Sequence, residues 1–208
     1  PEEFARRIAL YESITEPLAR MAGVLGRWGN GSEQLLALDI IRRLCAHADR
    51  ETAGLTVYLA IRTYPAVLFL TAYGLGLVRG ERWADLHELL IAQIEYRNRS
   101  EPSIVAQRLF LTSWPGGRDD YWRNMEDLKR HRTPLSDHLC TILSEWSASF
   151  VGVLPDFERL YETWEILGGL AYLGSVECEA IESQNVEQRP RELVWFPVGR
   201  SVWNEETR

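Results

Sequence analysis

The densest group of residues able to do chemistry lies between Lys129 and His138, where Lys129-Arg130-His131-Arg132 is followed by Asp137-His138. Two imidazoles and a carboxylate are the donor types that bind a transition metal or relay protons. A metal-dependent hydrolase or nuclease using His131, Asp137 and His138 is therefore the enzymatic reading this sequence offers. The spacing works against it. Thr133-Pro134 separates the two histidines, and adjacent helical residues such as Asp137 and His138 point about 100° apart. The order Asp-His is also the reverse of the His-Asp pair of metal phosphohydrolases. The plainer reading is that Ser136 or Asp137 caps a helix while His138 packs at its surface.

Other combinations are weaker still. Cys45 with His47, and Cys140 with His138, pair a thiol with a base two residues away, and helical residues two apart do not face each other. The glycines of Gly74-Leu75-Gly76 and Gly168-Gly169 do not sit between a strand and a helix as a phosphate-binding loop requires, so they are expected at close helix contacts. No catalytic residue, metal ligand or cofactor site is assigned on these grounds.

From Tyr121-Trp122-Arg123 to Arg132 aromatic and cationic residues alternate, which suits either a nucleic-acid-stacking face or a protein interface. Asp119, Asp120, Glu126 and Asp127 cancel much of the positive field, and the whole chain carries a formal charge of −7. Nucleic acid and anionic membranes, which need concentrated positive charge, are not expected partners. A protein partner or self-association is. The candidate interaction residues are Trp122, Arg130, His131, Arg132, Asp137 and His138, against the alternative of a solvated helix face with Trp122 buried behind it. Cys45, Cys140 and Cys178 show no C-x-x-C spacing, so the chain reads as a protein of a reducing cytoplasm, without a disulfide framework. The sequons at Asn30 and Asn98 then read as chance matches.

The elements that must position these groups are helical. Phe4, Ile8, Tyr11, Ile14, Leu18, Met21 and Leu25 recur at steps of three and four, which predicts one helix face over Phe4 to Trp28, broken or kinked at Pro17. Gly29-Asn30-Gly31-Ser32 marks a turn before a second helix, antiparallel to the first. Leu55 to Val78 is the most hydrophobic stretch and should be the most buried. Its uncharged part, Thr63 to Val78, is shorter than the ~20 residues of a membrane span. Pro65 predicts a kink or break near Arg62 to Tyr64.

Further helices are expected from Trp83 to Ile94, from Glu101 to Leu111, from Arg118 to His131, from Pro134 to Phe150 and from Pro155 to Leu173. A short extended segment is expected at Leu193 to Val198. The fold class is all-α, an irregular multi-helix bundle with that extended segment near the C-terminus, in one domain over residues 1–208. The opening Pro1-Glu2-Glu3-Phe4 reads as the start of a fragment of a larger protein.

Three stretches, Tyr64-Pro65-Ala66-Val67-Leu68-Phe69-Leu70-Thr71-Ala72-Tyr73-Gly74, Pro134-Leu135-Ser136-Asp137-His138-Leu139 and Trp195-Phe196-Pro197-Val198-Gly199-Arg200, carry a resemblance. Together they resemble the helical C-terminal regions of large, mostly uncharacterised bacterial modular proteins. Those regions follow varied N-terminal modules, including sirtuin-like and nucleoside-triphosphatase domains of the sort seen in defence systems. The similarity spans about Leu55 to Trp203. It carries over no catalytic residue. The start that reads as truncated, the richness in aromatic residues and the lack of a convincing polar constellation point instead to an accessory helical module for partner recognition or self-association. Such a module should have a largest pocket lined mainly by apolar and aromatic side chains.

Overall fold

The structure is a computed structural model that describes residues 2–50, 53–95, 102–148, 156–182 and 199–202. Among the described residues it is all-α apart from one small strand pair. Helix α1 spans Glu2–Trp28, α2 Gly31–Ala48, α3 Thr56–Ala60, α4 Tyr64–Arg79 and α5 Trp83–Ile91. Strands β1 (Gln93–Ile94) and β2 (Ser103–Ile104) pair antiparallel, and α6 (Val105–Leu109), α7 (Asp119–Trp122), α8 (Pro134–Ser147) and α9 (Phe157–Glu182) follow.

Helix α4 is the centre of the molecule because it is apolar on every face, so no orientation against water would satisfy it. From Tyr64 to Val78 its residues are buried, with only Pro65 partly open. The stretch Thr56–Arg79 is apolar enough to cross a membrane by composition, and most of it is buried inside the protein. Burial begins at Ile61 and not at Leu55, which is exposed. Near Pro65 the expected break is present as a 3-10 turn at Ile61–Thr63, with the proline in the first turn of α4 where its missing N–H is harmless.

Helix α1 lies beside α4. Glu12 meets Tyr64, Gly23 meets Gly76 and Arg27 meets Gly80, so the contacts advance together along both chains and the two helices run parallel. Glycine is required where they touch: a β-carbon on Gly26 would fall on the Tyr73 carbonyl oxygen, and one on Gly76 on the Gly23 carbonyl oxygen. Helix α2 begins near the start of α5, with Gln34 donating to the Asp85 carbonyl at 3.0 Å. It ends at Asp49, whose carboxylate holds the buried guanidinium of Arg108 at 2.8 Å. Its cap is Asn30, inside the Gly29-Asn30-Gly31-Ser32 turn, which accepts from Ser32 N–H at 3.0 Å and receives the Glu33 carboxylate on its own N–H at 2.7 Å.

Several expectations are corrected. Helix α1 passes through Pro17 without ending, because that residue is on the exposed side and only a solvated carbonyl loses its partner. Its buried face is Phe4, Ile8, Thr15, Ala19, Ala22, Gly23 and Gly26, while Ile14 and Met21 point to solvent. The expected helix from Arg118 to His131 is α7 plus a 3-10 turn at Glu126–Leu128. The one expected from Glu101 is reduced to β2 and α6. Helix α9 continues past Gly174 to Glu182. Leu193 to Val198, expected to be extended, lies outside the described residues.

Candidate functional site

Around the start of α8 an open depression of about 430 Å³ gathers Arg130, His131, Arg132, Asp137, Glu158 and Arg200. The turn before α8 is fixed by the Arg123 guanidinium, which donates to the carbonyls of His131 at 3.3 Å and Arg132 at 3.1 Å. This brings His131 Nδ1 to 2.9 Å from Asp137 Oδ2, and Thr133 Oγ1 donates to the same oxygen at 3.5 Å. Arg200 stands 3.1 Å from Glu158. The carboxylates of the depression are thus each matched by a cation or imidazole, which gives a surface of mixed charge without a concentrated field of either sign.

His138 is not part of this group. Its ring turns inward against Trp122, with centroids 5.3 Å apart, and its Nε2 lies 2.6 Å from Glu12 Oε1. The same oxygen accepts from the Tyr64 hydroxyl at 2.9 Å. Thus His131 and Asp137 come together while His138 faces a different carboxylate, and among the described residues no group of three His, Cys, Asp or Glu gathers where it could hold a metal.

Trp122 is a core residue and not an exposed anchor. It is fully buried among Phe4, Tyr64 and Trp114, and its Nε1–H donates to the Gly116 carbonyl at 2.8 Å. Nor does Ser136 or Asp137 cap α8, whose N-cap is Thr133. Ser136 instead points into the protein.

There it donates to the buried carboxyl of Glu165 on α9, and the Ser136 oxygen accepts from Arg200 N–H at 2.9 Å. The other Glu165 oxygen accepts from Ser201 N–H at 3.1 Å. A β-carbon on Gly199 would fall on the Glu165 carboxyl. Ser136 and Glu165 thus clasp the segment 199–202 against α8 and α9. Burial pushes the Glu165 carboxyl up to about 7, with the Ser136 hydroxyl, the Ser201 amide and the Arg200 charge pulling the other way. The carboxyl is sealed in by these partners, so it reads as a structural group. Burial also pushes Cys45 up to about 11 and Cys140 up to about 12. At neutral pH both are thiols and poor nucleophiles.

Neither Glu12 nor Glu165 was singled out from the sequence. Glu12 shares the buried side of α1 with Ile8, Thr15 and Ala19, a side that only becomes legible once the small residues are known to face α4. Glu165 follows Trp164 inside an apolar helix, and its partners Ser136 and Ser201 are distant in the chain.

A second, larger depression of about 610 Å³ runs between α5, β2 and α9. Trp83, Leu86, Leu90 and Ile91 form one wall, Leu167 and Leu170 the other, and Ile104 lies between them. Its polar lining is His87 and Ser175, and the Ser175 hydroxyl is already used, donating to Tyr172 O at 2.6 Å and accepting from Gln107 at 3.2 Å. Trp83, Ile91 and Leu170 are exposed along it. Comparison with family models, with curated proteins and with solved structures finds no match to this chain.

Proposed function

We propose that this chain is an accessory recognition module and that it acts in a reducing cytoplasm by binding a protein surface. The observation that carries this reading is the groove between α5 and α9. Its volume is that of a ligand site, its walls are apolar, and among the described residues that line it His87 is the one ionisable side chain, short of the pair that acid–base chemistry uses. The occupant that suits it is the apolar face of an amphipathic helix, which inserts side chains at positions i, i+3, i+4 and i+7 into such a groove.

Labelled synthetic helices bearing leucine at those positions, titrated into the protein and followed by fluorescence anisotropy, test this directly. Saturable binding is expected, and Leu170→Asp, which places a charge on the open rim without touching the core, should weaken it roughly 10-fold or more through the cost of desolvating that charge. Absence of saturable binding, or binding that Leu170→Asp leaves unchanged, would reject the groove as the recognition surface.

A further inference from the structure

The outward side of α1 is apolar in a way its buried side does not explain. Leu10, Ile14, Met21, Val24 and Trp28 are 51, 68, 61, 40 and 70% exposed, and Pro17, also exposed, stands between them. From Leu10 to Trp28 these six residues are spaced 4-3-4-3-4. That is the alternation of a and d positions in a coiled-coil seam, here with a mean step of 3.6 residues, and it is narrower than the stripe a globular core requires. The core side of the same helix uses different and smaller residues, Thr15, Ala19, Ala22, Gly23 and Gly26. Two faces of one helix are therefore built for contact, and α4 occupies only one of them.

We infer that the chain forms a homodimer in which the Leu10–Trp28 stripe of α1 packs against the same stripe of a second copy. Two features favour a second copy as the occupant. The 4-3-4-3-4 spacing reads the same in either direction, so two identical stripes related by a two-fold axis bring their layers into step, as a self-complementary interface demands. The area is also of the right size. At these exposures the six side chains present on the order of 600 Å², the upper end of the apolar patches that monomers leave open. That supplies most of the ~800 Å² per partner that a specific interface buries. The seam is about 27 Å long at 1.5 Å per residue. It is bounded at the N-terminal end, because the next two positions of the repeat are Arg7 and Glu3, which are joined by a hydrogen bond of 2.6 Å. At the other end Trp28 lies beneath the guanidinium of Arg27, 4.4 Å from its ring centroid, a pairing common at the anchors of interfaces.

Sedimentation equilibrium of the full chain tests the inference. The expected mass is twice that of the chain at micromolar concentrations. Ile14→Glu with Met21→Glu should raise the dimer dissociation constant at least ~100-fold, since each copy would bury two unpaired charges, while the far-UV circular dichroism stays unchanged because both positions are exposed. Ile14→Gln with Met21→Gln, milder for folding, should give a smaller shift in the same direction. A wild-type chain that remains monomeric up to ~1 mM, weaker than any specific interface of this size, would overturn the inference, as would a dimer indifferent to both double variants. Leu170→Asp should leave the mass unchanged, so that failure of the dimer and failure of the α5–α9 groove are read separately.

Discussion

The contact between α1 and α4 and the contact between α8 and α9 are both buried, yet they are held together by opposite means. At the first, Gly23 and Gly26 of one helix meet Tyr73, Gly76 and Leu77 of the other at backbone distance, and the surroundings are alanine, leucine and aromatic rings. Stability there comes from excluding water and from dispersion between closely fitted atoms, neither of which depends on pH. At the second, Ser136, Glu165, Gly199 and Ser201 form a polar clasp whose central carboxyl is sealed from water. A clasp of this kind is directional and satisfies its partners one by one, but burial penalises the ionised carboxyl, so the clasp weakens as the proton is lost. The molecule thus has one seam that is sensitive to volume and one that is sensitive to charge.

The largest effect expected from breaking this contrast is at the volume-sensitive seam. Gly76→Val places a branched side chain against the Gly23 carbonyl and the Arg27 amide, where only backbone can yield. Separation of α1 from α4 should cost on the order of 3 kcal/mol or more, read as a fall in Tm of roughly 10 °C for a chain of this size. The loss should be the same at pH 5 and at pH 8.

At the charge-sensitive seam the effect should be smaller and should change with pH. The folded-state pKa of Glu165, about 7, lies above its ordinary value near 4.5, so between these values the folded protein holds a proton that the unfolded chain releases. Stability then falls as pH rises from about 4.5 to about 7 and levels off above it. Glu165→Gln keeps the neutral shape and cannot ionise. Its Tm should be close to wild type at pH 4.5 and higher than wild type at pH 8, whereas a parallel loss at both values would contradict a neutral carboxyl.

The smallest effect belongs to the surface pair that the sequence placed foremost. His131 and Asp137 are hydrogen-bonded but His131 is exposed, and such pairs contribute at most ~1 kcal/mol. His131→Ala should shift stability by less than ~0.5 kcal/mol in a urea titration. A loss several times larger would mean that the depression at α8 is a third organised seam.

Periodicity made the helices legible, and it placed the central one well, because a helix apolar all round has one possible position. Periodicity misled on α1. There Ile14 and Met21 look like core and are not, while beyond Ile8 the buried face is made by Thr15, Ala19, Ala22, Gly23 and Gly26, whose small size carries no signal until the neighbouring helix is in place. It also overran at Arg118 to His131. There Trp122 is fixed by Phe4, Tyr64, Trp114 and the Gly116 carbonyl, all outside the short helix that carries it.

What the residues determined by themselves was local: the helical class, the turn chemistry at Asn30, the break before Pro65 and the proline start of α8. These follow from backbone dihedrals, capping and repeat length, which act within one or two turns. The tertiary structure decided which face of α1 is inside, which histidine meets which carboxylate, and which serine reaches Glu165. Those outcomes depend on contacts between residues far apart in the chain, such as Glu12 with His138 and Ser136 with Glu165, and a separation along the sequence does not specify a separation in space until the helices between them have packed.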